Sequence, residues 1–231
     1  MKRVLLATLI ALLVPLAGPC QAEMSNFTAV YSMGRNGLEI GQVTDVFRLT
    51  GSHYVLVSES RATGPWKLLL PGSIRLESRG TVSNNSLEPS FYLHTRSDNS
   101  AKFDEAKLDW NTGEITLTHN GNVSQVKLAP GTEDNLSQLY VFLFMQTLPA
   151  QIVMPVVTGK HVDEYQYRQF PASALTTPAG KFDVVEYRRQ GVTDEKAISV
   201  WVSRTVPHLP VQIRISEDGV SVEHRLISIK P

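Results

Sequence analysis

Cysteine is almost missing from this chain. The single one, Cys20, lies in the N-terminal leader. A chain cut after it has no disulfide, no thiolate nucleophile, no iron–sulfur cluster and no Cys-zinc site, so its stability rests on core burial. A dominant charge is missing too. The 22 Lys and Arg balance 22 Asp and Glu, and loss of Lys2 and Arg3 with the leader leaves 20 against 22, near −2. No basic stripe is present, which argues against nucleic acid as the main partner. Beyond residue 16 no apolar run reaches the about 20 residues that a membrane-spanning helix needs. Gly-x-Ser-x-Gly, a phosphate-binding glycine loop and His-Glu-x-x-His are all absent, which removes the commonest sequence signatures of hydrolases, nucleotide enzymes and zinc proteases.

The leader is the clearest feature present. Lys2 and Arg3 precede an apolar stretch from Val4 to Leu16, broken only by Thr8; then come Gly18, Pro19 and Cys20-Gln21-Ala22 before Glu23. This is the pattern of a cleaved secretory signal peptide over residues 1–22, too short to serve as a membrane anchor. Lipidation at Cys20 would want a small residue before it, where Pro19 stands, so cleavage after Ala22 is expected. Residues 23–231 are then one exported domain, since no Ser/Gly-rich linker divides them.

Most of that domain reads as short antiparallel strands. Phe27, Ala29, Tyr31 and Met33 alternate with more polar neighbours, the two-residue period of a half-buried strand. Asn36-Gly37, Asn84-Asn85, Asn120-Gly121 and Asp218-Gly219 fall between such strands and are hairpin turn signals. Phe182–Arg188 and Ala197–Ser203 make a further pair, and Pro207 and Pro210 mark an edge or corner. One stretch breaks the pattern. Over 134–148, Leu136, Leu139, Tyr140, Leu143, Phe144 and Leu148 recur at helical spacing, with Val141, Phe142 and Met145 on the other faces. With Asp134 as N-cap and Pro149 as stop, the spacing predicts one helix buried on most sides. The expected fold is mainly β: a large curved antiparallel sheet, open and barrel-like, around that helix.

Polar chemistry is scattered. The six histidines include no His-x-His or His-x-x-x-His pair; His161 and Asp163 share a strand face but make only two ligands, too few for a metal site. Exposed hairpin positions are the plainer reading, and no metal or cofactor is expected. Ser124 and Lys127 fit Ser-x-x-Lys, but on a strand they face opposite ways. Asp98, Asp104, Glu105 and Asp109 lack calcium-loop spacing and read as a solvated strand face balanced by Lys102 and Lys107. Between Gly64 and Gly72, Trp66, Leu68, Leu69 and Leu70 lie between two prolines. A plug closing one end of the sheet is the plainer reading; an exposed tip would mark a contact surface.

Four landmarks resemble a family of exported bacterial proteins known only as domain of unknown function 3108: Phe27-x-Ala29-x-Tyr31 with Gly37-Leu-Glu-Ile-Gly41, Asp134-Asn-Leu-Ser137, Thr177-Pro-Ala-Gly180-Lys-Phe182, and Trp201-Val-Ser with Leu209-Pro210-Val211. The resemblance implies a mostly antiparallel β domain of the Gram-negative periplasm or envelope, distantly like the open barrels that carry lipid or lipoprotein chains. It brings no catalytic residue with it. The first reading is therefore a periplasmic, non-enzymatic protein that binds a lipid or amphiphile or maintains the envelope. Leu139, Leu143, Phe144, Trp66 and Trp201 are the candidate lining. The alternatives are an interaction module presenting Trp66 to Leu70 to an envelope partner, and a hydrolase with dispersed carboxylates.

Overall fold

The computed structural model describes residues 26–191 and 196–231; the leader expected over 1–22 lies outside the described residues. Eight strands come first: β1 (Asn26–Arg35), β2 (Leu38–Thr50), β3 (His53–Ala62), β4 (Ser73–Ser83), β5 (Ser86–Arg96), β6 (Phe103–Asp109), β7 (Glu114–His119) and β8 (Asn122–Lys127). A two-residue strand, β9 (Glu133–Asp134), follows. Then come β10 (Gln151–Val157), β11 (Val162–Thr177), β12 (Gly180–Gln190), β13 (Lys196–Ser203), β14 (Pro210–Glu217) and β15 (Val220–Lys230). All join one sheet in the order β8 to β1, then β15 down to β9. The chain is thus two meanders joined through the antiparallel pairing of β1 with β15. Among the described residues only β9 with β10 is parallel.

Turn chemistry sets this register. At Asn36-Gly37 the φ values are 48° and 84°, and Asn84-Asn85, Asn120-Gly121 and Asp218-Gly219 likewise hold positive φ at both positions. Such two-residue turns match the twist of the strands that they join. β11 is one long strand with a register shift between Phe170 and Ser173. Gly41 is fixed by crowding. A Cβ there would sit 2.3 Å from the Arg61 carbonyl oxygen and 2.6 Å from Met33 Cε. Met33 can swing aside but the β3 backbone cannot, so Gly41→Ala is expected to cost about 2 kcal/mol. A urea midpoint equal to wild type would refute this.

The inner face carries the core: Phe27, Tyr31, Phe47, Leu56, Tyr92 and Ala106 from the first meander, Tyr167, Val185, Tyr187, Val200 and Ile213 from the second. Residues 132–149 cross this face and fill it. Here the sequence expectation needs correction. The segment is not a helix over 134–148 but two short 3-10 turns, Ser137–Leu139 and Val141–Phe144, interrupted at Tyr140 (φ −116°, ψ 5°). Its backbone bonds run from i to i+3, as in Tyr140 N–H to the Ser137 carbonyl (2.8 Å) and Leu143 N–H to the Tyr140 carbonyl (3.1 Å). Two causes act together. Tyr, Val and Phe are mediocre helix formers, and Asp134 and Ser137 compete for backbone groups that a helix would use. The burial inferred from the apolar composition is present: Leu136, Tyr140 and Phe142 are each at most 1% exposed. Among the described residues no helix is long and apolar enough to cross a membrane.

Candidate functional site

All seven tyrosines are buried; the crossing segment carries Tyr140, and Tyr31, Tyr167 and Tyr187 reach it from the sheet. Tyr140 donates to Asp45 on β2, and its oxygen lies 3.4 Å from that of Tyr31 on β1, which donates to the Pro210 carbonyl (2.9 Å). Tyr167 on β11 donates to Gln138 Oε1 (2.7 Å). Tyr187 on β12 donates to the Pro149 carbonyl (2.6 Å) and packs on Phe142 with ring centres 4.7 Å apart. Tyrosine suits this task because its ring fills apolar space while its hydroxyl satisfies a buried polar group.

Asp134 anchors the segment. Its Oδ1 accepts the N–H groups of Leu136 and Ser137, both at 2.8 Å, and its Oδ2 accepts the Ser78 hydroxyl from β4. The Tyr54 hydroxyl stands 2.9 Å from Ser78 Oγ. Asp45 and Asp134 are both fully enclosed. Burial pushes each carboxyl up to about 6, and hydrogen bonds hold back a larger rise. Glu133, next to Asp134, is also raised well above the usual carboxylate range, again first by burial. Perturbed carboxyls often mark catalysis. These are at most 4% exposed, and Asp45 and Asp134 are bonded to the chain's own Tyr and Ser groups. Asp45 and Asp134 fasten the segment to the sheet.

Register assembles a further constellation that spacing did not reveal. His94 on β5, Asp104 on β6 and His119 on β7 stand directly opposite one another. His94 Nδ1 is 3.4 Å from Asp104 Oδ2, and His119 Nδ1 pairs with Asp104 Oδ1. The Asn120 amide donates to His119 Nε2 (3.0 Å), which leaves the ring proton on Nδ1 for Asp104. Gly159, in the β10–β11 turn, is pressed against Asp104: a Cβ there would lie 2.7 Å from that residue's Cβ. The row therefore sits where the second meander leans on the first. Residues 94, 104 and 119 show no motif spacing, so only the strand pairing could have exposed them. Among the described residues no group of three or more His, Asp or Glu could hold a metal.

An opening with a largely apolar lining lies at the end of the sheet where β1, β3 and β5 finish. A cleft of about 290 Å³ is bordered by Met33, Ile40, Ala62, Leu69, Leu70 and Ile74, with Ser60, Arg96 and Asp98 at its polar margin. Arg96 engages Asp98 through both Nε (3.2 Å) and Nη2 (3.1 Å). Above the cleft, Gly64–Leu68 forms a 3-10 turn. Leu68 is 87% exposed and Leu69 73%, so the stretch read as a plug is an exposed tip instead.

The five proposed lining residues fall into three places. Leu143 is buried in the first core cluster, and Leu139, Phe144 and Trp201 pack on that cluster from partly buried positions. Phe144 meets Phe47 with ring centres 6.0 Å apart. Trp201 also lies under the Arg214 guanidinium, 5.2 Å away. Trp66 stands apart in the exposed turn, half-buried. Met33 is shared: it borders the cleft and packs on the same cluster.

A wound antiparallel sheet filled by a crossing segment and open at one end defines a β-barrel-like protein. The chain belongs to the family described as protein of unknown function (DUF3108), whose model matches residues 26–222. It is similar in fold to a beta-barrel-like protein of the domain of unknown function DUF1849 from Brucella abortus: TM-score 0.55 at 12% identity, over 89% of this chain and 97% of that one. A candidate lipoprotein from Parabacteroides distasonis matches at TM-score 0.38 and 9% identity, over 89% of this chain and 95% of that one. No curated protein matches.

Proposed function

We propose that this protein is an exported, non-enzymatic binding protein of the Gram-negative periplasm, and that the open end of its sheet holds an apolar or amphiphilic ligand such as a lipid acyl chain. The observation that carries the reading is the cleft walled by Met33, Ile40, Ala62, Leu69, Leu70 and Ile74. Barrel mouths with apolar walls and a few polar groups at the margin are common ligand sites, and Arg96 with Asp98 supplies such a margin. Met33 joins the cleft to the cluster that holds Leu143 and on which Leu139, Phe144 and Trp201 pack, and Trp66 stands on the turn at that end. The leader pattern of residues 1–22 supports the address.

The test is extraction and mass spectrometry of lipid from protein purified without detergent, followed by titration with a fluorescent fatty acid. Wild type is expected to carry lipid and bind the probe, and Ile74→Gln to weaken binding about tenfold. A lipid-free protein whose probe affinity ignores Ile74→Gln would end the proposal.

A further inference from the structure

The Trp66–Leu70 tip has a side that the cleft does not use. Leu69 and Leu70 border the cleft, whereas Leu68 and Trp66 do not. Leu68 is 87% exposed, the most exposed large apolar side chain among the described residues. Leu38, 62% exposed, begins β2 at the same end of the sheet. The tip is held firmly rather than trailing. Thr63 N–H bonds the Ile40 carbonyl (3.0 Å), and Trp66 N–H bonds the Thr63 carbonyl (3.2 Å). Leu69 and Leu70 N–H groups both reach the Trp66 carbonyl, at 3.1 and 2.8 Å. Leucines kept in water by a fixed backbone need a reason.

Charge says what faces them. From Gly64 to Gly72 the only ionisable residue is Lys67. Arg61 and Arg75 flank the tip, and three carboxylates around it are held in ion pairs: Glu59 with Arg61, Glu77 with Arg75 and Arg79, and Asp98, which lies against Gly72, with Arg96. Lys67, and Arg35 on the neighbouring hairpin, have no carboxylate partner among the described residues. A convex apolar tip with an interfacial tryptophan and free cations beside it is complementary to a surface that is fluid, apolar beneath and anionic above. A protein partner would have to bring a socket shaped to consecutive leucines, whereas a bilayer needs none.

We propose that Leu68, with Trp66, Leu38 and Lys67, seats the open end of the sheet on a membrane surface containing anionic lipid. Seating points the cleft at the bilayer, but it does not require that the cleft hold a ligand.

The full-length exported protein would be sedimented with vesicles of phosphatidylcholine alone and of phosphatidylcholine with phosphatidylglycerol. Wild type is expected to partition more strongly onto the mixed vesicles, with the excess fading as salt rises. Leu68→Asp should reduce partitioning about tenfold on both vesicle types, because it sets an ionised group where apolar surface was to insert. Lys67→Glu should remove the phosphatidylglycerol excess and little else. Ile74→Gln, which damages the cleft, should still bind vesicles, so seating and ligand uptake fail separately. The proposal falls if Leu68→Asp partitions like wild type. It falls equally if wild type ignores both vesicles, including the case in which Leu68 cross-links only to an envelope protein.

Discussion

Asp134→Ala is expected to destabilise the protein by roughly 3–5 kcal/mol, the range for removing one partner from a buried hydrogen-bonded charge network. Three donors lose their acceptor: the N–H groups of Leu136 and Ser137 and the Ser78 hydroxyl. All three residues are buried, at 1% exposure or less, so water cannot replace the carboxylate without opening the core. The loss spreads, because the Tyr54 hydroxyl is bonded to Ser78. Asp134→Asn is the informative companion. Its amide oxygen can still accept both N–H groups and its NH₂ can donate to Ser78 Oγ, so most of the loss should be recovered. Urea unfolding of the three proteins near neutral pH makes the comparison. If Asn is as damaging as Ala, the carboxylate matters through its charge and the hydrogen-bond account is wrong. If neither variant differs from wild type, Asp134 does not anchor the segment.

The contrast between strands and crossing segment explains what could be read in advance. Strand identity is local: side-chain alternation at Phe27, Ala29 and Tyr31, and the turn preferences of Asn36-Gly37 or Asp218-Gly219, lie within a few residues. Those features appear where expected. The crossing segment is a different problem. Leu136, Tyr140 and Phe142 had to be buried, and they are. Burial all round does not distinguish a helix from a chain of tight turns, because the groups that fix the segment come from distant strands: the Tyr31 hydroxyl meets Tyr140, that of Tyr167 meets Gln138 and that of Tyr187 takes the Pro149 carbonyl. The site was harder again. Leu139, Leu143 and Phe144 could be picked as apolar from the sequence, yet whether apolar groups meet around space or around one another is decided by packing. Ile40, Ala62 and Ile74 border the cleft as ordinary inward strand positions, with nothing local to set them apart. The His94–Asp104–His119 row is invisible for the same reason: register, not spacing, brings it together.

The same anchoring carboxyls make stability depend on pH in an unusual direction. Asp45 and Asp134 ionise near 3.8 when exposed and near 6 in the folded protein, with burial the first cause in each case. Folding therefore favours the protonated form. The stability that these groups contribute is fully present below about pH 4 and is lost as pH rises through 6, opposite to the usual salt-bridged carboxylate. Glu133, raised by burial, acts in the same direction. The histidines oppose them. His224 is pushed down to about 4 and His94 is lowered, both chiefly by burial, so what they contribute is present above about 6.5 and lost toward 4. Wild type alone would blend the two trends, and a difference between proteins separates them. In Asp45→Asn the titrating group is gone, while an oxygen remains to accept from Tyr140; any fixed cost of the amide is the same at every pH. Between about pH 4.5 and 7.5, Asp45→Asn should gain about 2 kcal/mol relative to wild type, the part of a two-unit shift that falls within that window. Asp134→Asn should gain a similar amount, and the two together about 4 kcal/mol, since each carboxylate ionises against its own partners: Tyr140 and Ser58 for Asp45, Ser78 and the Leu136 and Ser137 amides for Asp134. Urea midpoints measured across that range decide it. A stability difference that stays flat with pH would mean that both carboxyls are ionised in the folded protein throughout, and that the core under the crossing segment is wet.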